Sequence, residues 1–115
     1  MVNRPKVLGT TWESAVVAFL REHGFEQAER RALSGGLDKG DIINAGPYVW
    51  EAKNTKSIDL AGGMDELKQE VANCGPTAGY GFLIVKRRRK STGEGYAVMT
   101  LSQLCDILER LPDGQ

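Results

Sequence analysis

The chain has 115 residues, 41% hydrophobic and 26% charged, with 15 Lys plus Arg against 15 Asp plus Glu. That is one domain's worth of chain, long enough to bury a core without disulfide staples. Zero formal charge excludes binding to nucleic acid through bulk charge alone, while leaving room for a local basic patch. Two separated cysteines, Cys74 and Cys105, and a single histidine, His23, exclude a zinc knuckle. They also argue against a disulfide scaffold, so a reducing, cytoplasmic compartment is expected, bacterial, archaeal or in a virus-infected host cell. No run approaches the roughly 20 apolar residues of a membrane span, and no signal-type segment opens the chain.

Residues 1–9 read as a flexible polar arm, followed by one domain over 10–112. Thr10 and Glu13 have the spacing of a capping box. Trp12, Ala15, Val16, Phe19 and Leu20 then trace one apolar helix face, and Gly24 is a stop. Residues 28–53 read as a three-stranded antiparallel meander. Its strands are a charged one ending at Leu33, a short one at Asp41-Ile42-Ile43, and Tyr48–Lys53. Leu60, Met64, Leu67 and Val71 form a helical stripe that Gly62-Gly63 weakens at its start. Gly81–Val85 reads as a strand buried on both faces. Lys86–Lys90 leads into a flexible loop, Ser91–Gly95, and Tyr96–Thr100 is the last strand. Ser102 is placed to cap a final helix carrying Leu104, Ile107, Leu108 and Leu111. The order α-β-β-β-α-β-β-α predicts an α/β domain, a central mixed sheet with helices on both faces.

The chemistry concentrates near the third strand. Glu51 and Lys53 share one face of it, while Trp50 and Ala52 point the other way. Asp41 falls at the end of the neighbouring strand. Two carboxylates and one ammonium therefore meet at one spot, and the Ala52 carbonyl lies between the two side chains. Few oxygen ligands plus substrate phosphate suit Mg²⁺. Such an ion acidifies water and stabilises charge on an attacked phosphorus, and a lysine beside it offsets developing charge.

Gly40-Asp41-Ile42, a turn, and Glu51-Ala52-Lys53 resemble the PD-(D/E)xK motif of the restriction-endonuclease-like nuclease superfamily. The early Glu13, and Arg30-Arg31-Ala32-Leu33-Ser34-Gly35 ahead of the motif, look most similar to Holliday junction resolvases of the archaeal type, cellular and viral. The motif resemblance covers the first half of the chain; the second half matches by element order. It implies a restriction-endonuclease-like fold and a metal-dependent deoxyribonuclease. Asp41 and Glu51 would hold Mg²⁺, which Mn²⁺ would replace, with Glu13 and the Ala52 carbonyl completing the set. Lys53 would be the catalytic lysine, and Ser34 would lie near the scissile phosphate. The resemblance further implies P–O3′ cleavage, a branched four-way DNA junction as substrate, and a homodimer with two sites. Two departures stand out: glycine, not proline, precedes Asp41, and Gln69 is followed at the fourth place by Asn73, not by the tyrosine of the RecB-like exonucleases.

Each residue also has a plainer reading. Glu13 can serve only the capping box, Glu51 and Lys53 can be a solvated strand pair, and Asp38 reads as a turn residue. Trp12 and Trp50 read as core, and both cysteines as small buried hydrophobes. Whether Lys68 or Gln69 adds to the site is open. Arg30, Arg31, Lys86, Arg87, Arg88, Arg89 and Lys90 are the candidate DNA-backbone contacts. The alternatives are a nuclease of the same fold for another substrate (nickase, flap or repair exonuclease) and a non-catalytic DNA-binding module.

Overall fold

The computed structural model describes residues 4–32 and 35–113. Helix α1 covers Arg4–Glu22. It starts before the expected cap: positions 4–9, expected within an arm, are helical, and Thr10 lies inside the helix. The capping-box reading of Glu13 is therefore corrected. The stripe itself packs as the spacing requires, with Trp12, Val16, Val17 and Leu20 buried.

Strands β1 (Glu29–Arg30), β2 (Ile42–Ile43) and β3 (Val49–Lys53) form the antiparallel meander. Among the described residues the first strand comprises Glu29 and Arg30, opposite Ile43 and Ile42; Leu33, its expected end, lies outside them. Helix α2 (Leu60–Cys74) then carries the chain over the sheet to β4 (Gly81–Val85), which runs parallel to β3. A parallel neighbour requires such a crossover. Strand β5 (Tyr96–Val98) returns antiparallel to β4, and α3 (Leu101–Arg110) follows. The result is a five-stranded mixed sheet in the order β1-β2-β3-β4-β5. No helix among the described residues is long and apolar enough to cross a membrane.

The strand period of two divides the core between two layers. Trp50, Ala52 and Ile84 face α1 and join Trp12, Val16, Val17, Leu20, Ala28, Ile42 and Ala45. Val49, Leu83 and Val85 face α2 and join Met64, Leu67 and Val71. Both tryptophans are core residues, as expected. Trp12 donates from Nε1 to Ile84 O at 3.0 Å, and Trp50 donates from Nε1 to Ala45 O at 2.9 Å. Burying an indole requires such a partner for its N–H.

The glycines at the start of α2 have a packing role. Asp59 caps the helix by accepting from Gly62 N at 2.9 Å. Gly63 is buried, and a Cβ there would stand 3.2 Å from Leu83 Cδ2. Gly63 thus lets the helix lie close against β4, where a side chain would press on Leu83.

The cap of α3 is Thr100, not Ser102: its Oγ1 accepts from Gln103 N at 3.2 Å. The Gln103 side chain then pairs with both the N–H and the C=O of Gly81, at 3.2 and 2.8 Å. Tyr80 hydrogen-bonds Asp106 beside it. These polar links hold α3 at the sheet end, and its leucines stay outside the two apolar layers. Leu101, Leu104, Leu108 and Leu111 are exposed, and so is Cys105, which corrects its reading as a buried hydrophobe.

Candidate metal and phosphate site

Asp41 sits where β2 begins. Its backbone joins both neighbours: Asp41 N donates to Trp50 O at 2.8 Å, and Asp41 O accepts from Arg31 N at 2.8 Å. Its side chain continues the ladder beyond the last paired residue, with Oδ2 accepting from Ala52 N at 2.8 Å. The N–H and C=O of a strand residue project to the same edge, so the Ala52 carbonyl is directed to the Asp41 side as well.

Glu51 and Lys53 share the α2 face of β3, as the period of two requires. Lys53 Nζ lies 3.5 Å from Glu51 Oε2 and 3.2 Å from Glu66 Oε2 on α2. Burial works against the Lys53 charge, but Glu66 and Glu51 outweigh it and hold its pKa above the ordinary lysine value. Glu51 itself is 6% exposed, and no donor reaches its Oε1 among the described residues. Burial first, then the neighbouring Asp41 carboxylate, pushes the Glu51 pKa up. Asp41, Glu51 and Lys53 therefore meet as expected.

Glu13 lies on α1 and within electrostatic reach of Asp41. Burial, then Asp41, raises its pKa, against the pull of Arg30. Arg30 Nε donates to Glu13 Oε1 at 3.3 Å. Among the described residues Glu13 does not enter a group of three ligand atoms at cation spacing; the group that does is Asp38, Glu51 and Glu70.

Glu70 has only a faint signal in the sequence. It lies at the flank of the α2 stripe, one residue before Val71, where an acid on the buried side is the sole hint. Glu70 is 2% exposed, and among the described residues neither carboxylate oxygen has a hydrogen-bond donor. Burial, then Asp38 and Glu51, pushes its pKa far up. Asp38 moves the other way. The neighbouring Glu70 carboxyl lowers the Asp38 pKa most, with help from Gly40 N–H, Lys53 and Arg31 against burial. Asp38 is indeed a turn residue, its Oδ1 accepting from Gly40 N at 3.0 Å, and it also belongs to the site.

The segment bearing Asp38 is clamped from three sides. Arg31 Nε donates to Gly40 O at 3.1 Å and Nη2 to Lys39 O at 3.4 Å. Asn73 Nδ2 donates to Asp38 O at 2.7 Å, and Cys74 Sγ–H reaches Lys39 O at 3.6 Å. Gln69 donates to Asn73 Oδ1 at 3.0 Å, and so reaches the site through that residue. Arg31 thus has its donors turned toward the loop carbonyls, and Arg30 is the exposed member of the pair.

The basic run follows β4 directly. Val85 is the register partner of Lys53, and Lys86 N donates to Lys53 O at 3.0 Å. The hairpin Lys86–Lys90 therefore springs from the sheet end that carries Lys53. Lys86 Nζ stands 5.9 Å from the Trp12 ring centroid. Arg87 pairs with Glu94 at 3.6 Å and lies over Tyr96. Arg88, Arg89 and Lys90 are exposed. The loop expected after them contains a 3₁₀ turn at Thr92–Glu94. Ser34 lies outside the described residues.

No family model matches this chain, and no curated protein or solved structure matches it either.

Proposed function

We propose that the protein is a Mg²⁺-dependent DNA endonuclease of the PD-(D/E)xK type, acting on branched DNA as Holliday junction resolvases do. The observation that carries this reading is the docking of Asp41 on the Ala52 amide at 2.8 Å, which fixes it beside Glu51 on the strand bearing Lys53. The element order and a sheet in which β2 and β5 oppose the other three strands support a restriction-endonuclease-like arrangement.

The donor set fits a hard cation. Asp41, Glu51 and the Ala52 carbonyl offer oxygen only, and Glu51 Oε1 is buried with no donor among the described residues. When bound, Mg²⁺ supplies charge stabilisation at the attacked phosphate and lowers the pKa of water. Lys53 holds its proton, being ion-paired on two sides, and places a cation beside the reacting phosphate. Arg30 and the Lys86–Lys90 hairpin take the flanking phosphates, which position DNA without reading its sequence. A four-way junction has two-fold symmetry, so paired cuts call for a homodimer.

The test is a cleavage assay on end-labelled four-way junction, flap, nicked, duplex and single-stranded DNA with Mg²⁺, Mn²⁺ or EDTA. Glu51→Ala serves as the control. Paired, symmetric, metal-dependent cuts confined to the junction are expected. Cutting of another substrate would keep the site and discard the junction. Tight binding with no cutting of any substrate would move the protein to the class of DNA-binding modules.

A further inference from the structure

We infer that Asp38, Glu51 and Glu70 form a second site for a hard divalent cation, sharing Glu51 with the Asp41 site. This deepens the nuclease reading and rests on it for the first site only; the second is argued from its own atoms.

Three elements deliver these carboxylates: the clamped loop before β2, the centre of β3, and the third turn of α2. One ligand oxygen from each lies within 4.8 Å of the other two. That spacing suits a common ion. Oxygens at about 2.1 Å from Mg²⁺ or about 2.4 Å from Ca²⁺ on opposite sides are roughly 4–5 Å apart.

The acidic cluster alone would not point to a ligand. What does is the burial of Glu70, 2% exposed and aimed into the cluster, with neither oxygen given a donor among the described residues. Glu51 Oε1 is in the same condition. Buried carboxylate oxygens are costly unless paired, hydrogen-bonded or on a metal. Lys53, Arg31 and Asn73, the nearby donors, bond other atoms. Lys53 faces Glu51 Oε2 and Glu66; Arg31 and Asn73 hold the loop carbonyls. The loop they clamp carries Asp38 beside Glu70. A divalent ion supplies the missing partner, and a set rich in carboxylates, with one exposed ligand, leaves room for water on the Asp38 side.

The experiment is Mn²⁺ binding to the full chain without DNA, followed by electron paramagnetic resonance and calorimetry. The variants are Glu70→Gln, Asp38→Asn and Asp41→Asn. Wild type is expected to bind two Mn²⁺ per chain. Glu70→Gln and Asp38→Asn should each leave one, as should Asp41→Asn. Asp38 is exposed, so its variant folds even where a change at Glu70 disturbs packing. One Mn²⁺ in wild type, kept by Glu70→Gln and Asp38→Asn and lost in Asp41→Asn, would overturn the second site and leave the nuclease reading intact. One Mn²⁺ lost with Glu70→Gln and Asp38→Asn but kept by Asp41→Asn would uphold the inferred site and sink the first.

Discussion

Asp41 and Ala52 are joined by a side-chain bond that stands in for a missing strand residue: Oδ2 takes the Ala52 amide at 2.8 Å where β2 no longer pairs. The bond serves both the sheet and the site, because it holds a carboxylate beside Glu51.

Asp41→Ala therefore has two separable effects. Cleavage should fall on the order of 10³-fold, as expected when a metal ligand stabilising transition-state charge is removed. Stability should drop by about 1 kcal/mol for the lost hydrogen bond. DNA affinity should hold, since no cation is removed. Single-turnover cleavage, urea melts and filter binding read the three; wild-type cutting by the variant would reject the site assignment.

Lys53 is held between Glu51 and Glu66. Lys53→Met should lower the cleavage rate at saturating Mn²⁺ by at least about 10²-fold, the scale of one charge-stabilising group. Metal affinity should stay unchanged or rise, because a neighbouring cation has gone. Glu66 is exposed, so Glu66→Gln should change stability by less than ~1 kcal/mol. An unchanged turnover in Lys53→Met would remove the lysine from the mechanism.

The buried acids predict a pH dependence with a definite sign. Burial, with the neighbouring carboxylates, raises the pKa of Glu51 and of Glu70 above the ordinary value of 4.5. The unfolded chain therefore binds fewer protons than the folded one in this window, and stability falls as pH rises. In EDTA the melting temperature should be highest near the ordinary carboxylate range and decline through neutral pH. The decline should amount to at least ~1 kcal/mol, a few degrees. Mn²⁺ should flatten it, and Glu70→Gln should remove part of it. A melting temperature that climbs between pH 5 and 8 in EDTA would contradict the burial of these acids.

Neutralising Arg87, Arg88 and Arg89 should weaken binding to every DNA sequence alike. The slope of log affinity against log salt should shrink by about 1 for each DNA phosphate that no longer meets a cation. Arg88 and Arg89 are the freer pair, since Arg87 is shared with Glu94 and Tyr96. A slope equal to wild type would place the hairpin away from DNA.

Leu101, Leu104, Leu108 and Leu111 follow one another at three, four and three residues, the spacing of a helix-pairing seam. All four are exposed on or just after α3. A second copy of α3 is the occupant this spacing suits, in keeping with a homodimer. Leu104→Glu with Leu108→Glu should convert a dimer to a monomer by light scattering, without loss of helix content. A wild-type monomer at micromolar concentration would remove both the seam and the paired-cut reading.

The contrast between Asp41 and Glu70 shows what a sequence can and cannot carry. Asp41, Glu51 and Lys53 are legible because strand periodicity and a short turn bring them together locally. Gly40 is legible as a departure from proline, though not its reason. It sits at φ 98°, and a Cβ would lie 2.9 Å from Val49 Cγ1. Proline, fixed near −65°, cannot take that backbone, so here the two residues are not interchangeable. Thr10 misleads because a capping pattern is a local motif, and α1 continues through it.

By itself the sequence determined the order of helices and strands, the two-sided core and the Asp41–Glu51–Lys53 group, because each follows from residue periodicity over short stretches. Only the tertiary structure decided that Asp38 and Glu70, 32 positions apart, close on Glu51. It also decided that Arg31 turns inward, that Glu13 answers to Arg30, and that the α3 leucines face outward. Those outcomes depend on how α2 crosses the sheet and where α3 is tied, and the packing distances that set them are not written in any local pattern.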